Sequence, residues 1–141
     1  MELNDLYRRV IMDHYKNPRN RGELDDESVS VQLNNPTCGD RITLQLQVED
    51  GVVTNARFTG EGCSISMSSA SMMTEAVKGR TFEEAMSLAE RFSALMQGED
   101  VEFEELEDIE ALSGVNKFPA RIKCATLAWN ALKKGIEPQT H

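Results

Sequence analysis

Apolar residues alternate with mostly polar ones over Ile42, Leu44, Leu46 and Val48. A second run at the same spacing, Val52, Thr54, Ala56 and Phe58, follows after Asp50-Gly51. A period of two places successive side chains on opposite faces of a strand. An Asp-Gly pair between such runs predicts a two-residue hairpin, because Gly readily supplies the positive φ that a type I′ turn demands. Val29, Val31 and Leu33 alternate upstream and predict a further strand. The chain is thereby committed to a small antiparallel sheet with one covered face and one wetter face, and the remaining sequence has to supply the cover.

That cover reads as helices. Leu6, Tyr7, Val10, Ile11, His14 and Tyr15 recur at three- and four-residue spacing between a capping Asn4 and a terminating Pro18. His14 falls on this apolar stripe and reads as a partly buried, hydrogen-bonded histidine rather than a metal ligand. After Cys63 the pattern turns helical, with Ile65, Met72, Met73, Ala76 and Val77 set among Ser66, Ser68, Ser69, Ala70 and Ser71, whose small side chains permit close packing on a sheet. Gly79 ends this helix. Thr81-Phe82-Glu83-Glu84 is a capping box opening the next, which carries Leu88, Ala89, Phe92, Leu95 and Met96. A last helix starts near Pro119, buries Ile122, Ala125, Trp129 and Leu132, and closes at Lys133-Lys134-Gly135. The fold class is α+β, a three-stranded antiparallel sheet packed with several helices, read as one domain over residues 1–141.

A net charge of −9 and a pI near 4.7 oppose binding to phosphate backbones, so no nucleic acid partner is expected. Much of the acid lies in the run from Glu99 to Asp108, read as a solvated face or, in the sharper alternative, a docking surface for a basic partner. The N-terminus lacks a basic region leading into an apolar run, and no apolar stretch approaches the ~20 residues of a bilayer span. The expectation is a cytoplasmic chain with no membrane partner.

Three widely spaced cysteines, Cys38, Cys63 and Cys124, do not form the even framework of a secreted disulfide fold. Cys38 sits in Asn34-Asn35-Pro36-Thr37-Cys38-Gly39-Asp40 between strands, Cys63 at a strand-to-helix junction, and Cys124 early in the last helix. All three lie at element ends, where loops at one end of a sheet can meet. With Asp40 they would make a tetrahedral shell for zinc, and three thiolates with an oxygen could equally hold an iron-sulfur cluster. The other reading is three unrelated buried thiols. Gly39, Gly60 and Gly62 beside the candidates, and the cations Arg41, Arg121 and Lys123 within a few positions of them, weigh toward a shared site.

The runs Asp13-His14-Tyr15-Lys16-Asn17-Pro18-Arg19-Asn20, Asn35-Pro36-Thr37-Cys38-Gly39-Asp40, Gly60-Glu61-Gly62-Cys63-Ser64-Ile65-Ser66 and Phe118-Pro119-Ala120-Arg121-Ile122-Lys123-Cys124 occur in order. Together they resemble the U-type iron-sulfur assembly proteins, specifically the SufU branch, across nearly the whole chain. The resemblance implies a SufE/NifU-like fold and zinc held by Cys38, Asp40, Cys63 and Cys124. It also implies a zinc-dependent sulfurtransferase that takes persulfide sulfur from a SufS-type cysteine desulfurase and passes it toward the SufBCD machinery. In that scheme Cys38 accepts the sulfur after a desulfurase histidine replaces the aspartate in the zinc shell. Arg121 then holds the displaced Asp40 or steadies the thiolate, and Lys123 does either less well as a point charge. The alternative within the family is a scaffold that transiently holds a [2Fe-2S] cluster. Lys123 stands where IscU scaffolds carry a histidine, and Lys117-Phe118-Pro119-Ala120-Arg121 replaces their chaperone-binding Leu-Pro-Pro-Val-Lys, which argues for the sulfur-transfer branch.

Overall fold

A computed structural model of the chain describes residues 3–25, 29–35, 39–99, 109 and 111–137. Strands β1 (Val29–Asn35), β2 (Asp40–Glu49) and β3 (Val52–Glu61) form an antiparallel sheet in the order β1-β2-β3. Asp50 and Gly51 both adopt positive φ, 51° and 77°, so the hairpin between β2 and β3 closes as the Asp-Gly pair predicts. Ile42, Leu44 and Leu46 are fully buried on the covered face, with Ala56 and Phe58 beside them and half-buried Val29, Val31 and Leu33 on β1.

The third strand departs from simple alternation. Gln47 pairs with Asn55, but Val48 pairs with Val53, which leaves Thr54 as an extra residue in a bulge. The side-chain phase flips there: Val53 is buried and Thr54 is exposed, the reverse of the reading that put Val52 and Thr54 on the face of Phe58. The Thr54 hydroxyl donates to the Gln47 carbonyl at 3.0 Å inside this bulge.

Helices α1 (Leu3–Lys16), α2 (Ser64–Val77), α3 (Phe82–Met96) and α4 (Pro119–Ile136) surround the core, with a short 3-10 helix over Ser113–Lys117 that the sequence reading did not include. Helix α1 already begins at Leu3, so Asn4 lies within it rather than at its cap. Helix α2 packs on α1, α4 and β3, and α4 packs on β1, β2 and α3. The small residues of α2 make this possible, for Ser66, Ser68, Ser69, Ala70 and Ser71 are all buried. Their hydroxyls are used: Ser69 donates to the Ala125 carbonyl of α4 at 2.6 Å. The Ser71 hydroxyl meets both His14 Nδ1 and the Arg19 amide at 2.8 Å, which ties α1 and the loop after it to α2. His14 is 2% exposed, the buried hydrogen-bonded histidine its stripe position predicts.

The Thr81 capping box forms as read, with Thr81 Oγ1 accepting from the Glu84 amide and Glu84 Oε1 accepting from the Thr81 amide, both at 3.1 Å. Helix α4 starts at Pro119 but runs past Gly135 to Ile136. Gly135 is not a cap but a buried contact point, where an added Cβ would stand 3.1 Å from Val29 and 3.3 Å from Val31, so its missing side chain lets α4 lie close on β1. Of the acidic run, Glu99 is described and exposed, and Asp100–Asp108 lie outside the described residues.

Candidate metal centre

Antiparallel pairing brings the start of β2 and the end of β3 to the same end of the sheet, with Arg41 paired to Glu61. Asp40 opens β2, and Cys63 follows β3 as the N-cap of α2. Helix α4, packed against α2, delivers Cys124 from its second turn to the same place. A carboxylate oxygen of Asp40 and the Sγ atoms of Cys63 and Cys124 all lie within 4.8 Å of one another. Asp40 is 1% exposed, Cys124 is fully buried and Cys63 is half-buried.

The local chemistry is that of a ligand set. Asp40 Oδ1 accepts the Cys63 amide at 3.1 Å, while Oδ2 is buried and has no hydrogen-bond partner among the described residues. An orphaned buried oxygen on a carboxylate that lies beside two thiols is costly unless a cation completes the group. Two sulfurs and one oxygen at this spacing are donors that suit tetrahedral zinc. Burial works to raise the Cys63 thiol, and the nearby Asp40 charge works the same way. Hydrogen bonds from the Ser66 backbone and hydroxyl and from Cys124 outweigh both, leaving Cys63 below its ordinary 9.0. A helix N-terminus beneath a thiolate acts in the same direction.

Cys38 lies outside the described residues. The base of its loop is closed beside Asp40, where Asn35 pairs with Asp40 and the Gly39 amide donates to the Asn35 carbonyl at 2.8 Å. The candidate cations separate. Arg41 alternates with Asp40 along β2, is exposed, and pairs with Glu61 at 3.1 Å, so it is engaged away from the donors. Arg121 and Lys123 are exposed on the first turns of α4.

Two neighbours of the site escaped the sequence reading. Ser66 is 2% exposed, donates to the Cys63 carbonyl at 3.1 Å and lies 3.8 Å from its sulfur. Its place three residues after Cys63, the spacing of a cap and its partner, was the available signal. Gly62 was read as one of the glycines flanking the candidate ligands, and its φ is not positive. What it provides is space, since a Cβ there would lie 2.3 Å from Ser66 Oγ and 2.7 Å from Asp40 Oδ1. The conformational role belongs to Gly60, whose φ is 149° and where an added Cβ would run into the Arg41 carbonyl.

Known proteins resemble this chain in sequence and fold. The chain is 61% identical over 135 residues to the zinc-dependent sulfurtransferase SufU of Bacillus subtilis (strain 168), covering 95% of this chain and 91% of that protein. It is 51% identical over 137 residues to the iron-sulfur cluster assembly scaffold protein IscU of Streptococcus pyogenes serotype M1, covering 96% and 86%. The crystal structure of an N-terminal NifU-like protein from Brucella abortus superposes with a TM-score of 0.87 at 22% identity, covering 96% of this chain and 94% of that one, a likeness of fold. The family described as the NifU-like N terminal domain matches residues 6–139, and with that span and these identities the chain belongs to the NifU-like N-terminal domain family.

Proposed function

We propose that this chain works in iron-sulfur cluster assembly as a zinc-dependent sulfur acceptor. It takes persulfide sulfur from a SufS-type cysteine desulfurase and hands it to a SufBCD-type complex. The observation that carries this reading is the convergence of Asp40, Cys63 and Cys124 within 4.8 Å, with one Asp40 oxygen buried and unpaired among the described residues. The similarity to a zinc-dependent sulfurtransferase at 61% identity supports the choice of metal and chemistry.

Asp40, Cys63, Cys124 and Cys38 would hold the zinc. Bound there, zinc keeps the cysteines as thiolates at neutral pH and lowers their reactivity while they remain ligands. Cys63 and Cys124 are anchored by the N-cap of α2 and the packed face of α4, so they act as fixed donors. Cys38, in the loop next to Gly39, is the acceptor: its thiolate attacks the terminal sulfur of the desulfurase persulfide, a new S–S bond forms on Cys38, and the desulfurase cysteine leaves as a thiolate. Asp40, an oxygen among soft sulfurs, is the donor most readily exchanged when Cys38 must be released. Arg121, exposed at the start of α4, is the cation that steadies the freed thiolate or carboxylate.

Anaerobic purification followed by metal analysis, beside a desulfurase assay, tests this reading. Zinc-loaded protein is expected to raise desulfurase turnover without any cluster. Stimulation by cluster-reconstituted protein alone would favour the scaffold role named for the Streptococcus pyogenes relative.

A further inference from the structure

The two oxygens of Asp40 are not equivalent. Oδ1 is committed to the Cys63 amide at 3.1 Å, and Oδ2 is buried with no partner among the described residues. The peptide that carries this amide can approach the carboxylate only because residue 62 has no side chain. A Cβ on Gly62 would fall 2.7 Å from Asp40 Oδ1 and 3.1 Å from its Cγ, and 2.3 Å from Ser66 Oγ. Real Cβ atoms essentially never come within 3.0 Å of such neighbours, and neither neighbour is the loose end of a long side chain. Asp40 and Ser66 are 1% and 2% exposed, so neither can swing into solvent.

We propose that Gly62 is a positioning residue for the metal: it lets the Cys63 amide hold Asp40 Oδ1, so that the carboxylate offers the metal Oδ2 alone. Asp40 is thereby a one-oxygen ligand. Its second oxygen stays on the backbone whether or not the first is coordinated, so the carboxylate can leave the metal without leaving its place. The Ser66 hydroxyl fills the space beside Gly62 and donates to the Cys63 carbonyl, so it fastens the next peptide along. The inference rests on the zinc reading of the site but not on sulfur transfer.

The test compares Gly62→Ala, Gly62→Ala with Ser66→Ala, Asp40→Asn and Asp40→Ala with the wild type. Zinc affinity is measured by chelator competition, the electronic spectrum is recorded on the cobalt-substituted protein, and the Cys63 amide proton is followed by NMR in the metal-free protein. Gly62→Ala should weaken zinc by about 10- to 100-fold, the usual range for a lost outer-shell partner. It should also alter the cobalt spectrum and move the Cys63 amide proton upfield. Removing the Ser66 hydroxyl in that background relieves only the 2.3 Å contact and should not restore affinity. Asp40→Asn keeps an acceptor for the amide, so the Cys63 proton should stay near its wild-type position while zinc weakens, whereas Asp40→Ala should move it upfield. Wild-type zinc affinity in Gly62→Ala, rescue by Ser66→Ala, or an unmoved Cys63 proton in Asp40→Ala would each overturn the proposal. If Gly62→Ala does not fold, the Asp40 pair still decides whether the Cys63 amide holds Oδ1, and an unmoved Cys63 proton there overturns the proposal. The expected affinity losses in the variants, with no desulfurase stimulation by the zinc-loaded wild type, would sink the sulfur-transfer reading and leave this one standing.

Discussion

Asp40 brings hard and soft chemistry into one donor set, and its replacement separates affinity from turnover. With the proposed ligand set, Asp40→Cys would make a four-thiolate shell with Cys38, Cys63 and Cys124, which should bind zinc more tightly and transfer sulfur more slowly. Chelator competition beside desulfurase stimulation measures both, and undiminished transfer in the tighter variant would remove Asp40 exchange from the mechanism. Cys38→Ala should abolish sulfur acceptance, seen by mass spectrometry as loss of the added sulfur after incubation with desulfurase and cysteine. Persulfide on Cys124 in that variant would reassign the acceptor. At this scale the sequence was informative about donor identity and silent about approach. Cys63 and Cys124 could be nominated from residue type and position, but the 2.7 Å Cβ contact that explains Gly62 exists only after β2 and α2 meet.

The elements were legible wherever their signals are local. The Thr81 capping box is an i, i+3 pattern and formed as read, and Thr81→Ala should cost about 1 kcal/mol in urea unfolding. The bulge at Thr54 was not legible, because a bulge is set by cross-strand register and the apolar run Val52-Val53 fits either phase. Gly135 was misread for a similar reason: a glycine after two lysines has the pattern of a helix end, and only contact with β1 shows it to be interior. Gly135→Val should therefore push α4 from β1 and cost about 1–3 kcal/mol by overpacking, more than the residue's higher helix propensity returns. Ser71 is the corresponding joint between α1 and α2. Ser71→Ala removes the hydroxyl on which His14 Nδ1 and the Arg19 amide converge and should cost about 1–3 kcal/mol, read as a lower melting temperature.

For the whole molecule, acid should weaken the fold through carboxylates whose native values are depressed. The Thr81 backbone amide, then its side chain, hold Glu84 below its ordinary 4.5, and hydrogen bonding followed by the charge of Arg19 holds Asp13 below 3.8. A depressed carboxylate contributes fully above its unfolded value, and the contribution is lost as pH falls through the lower folded value. The urea midpoint should accordingly drop as pH is lowered below about 4.5, and a flat profile there would count against these contacts. Zinc removal should lower the melting temperature as well, since its donors join the sheet, α2 and α4.

The packing of α4 against both α2 and β1 also sets an order of events in time. Asp40 and Cys63 are neighbours through a hairpin and a short junction, contacts that form early because little chain must be closed. Cys124 reaches them only when a helix distant in sequence docks across the sheet. A refolding chain thus presents an incomplete, weakly chelating pair until that long-range contact is made. Zinc capture should follow the slowest refolding phase, and the ion would then act as a timer that reports completion of the fold rather than a seed that starts it.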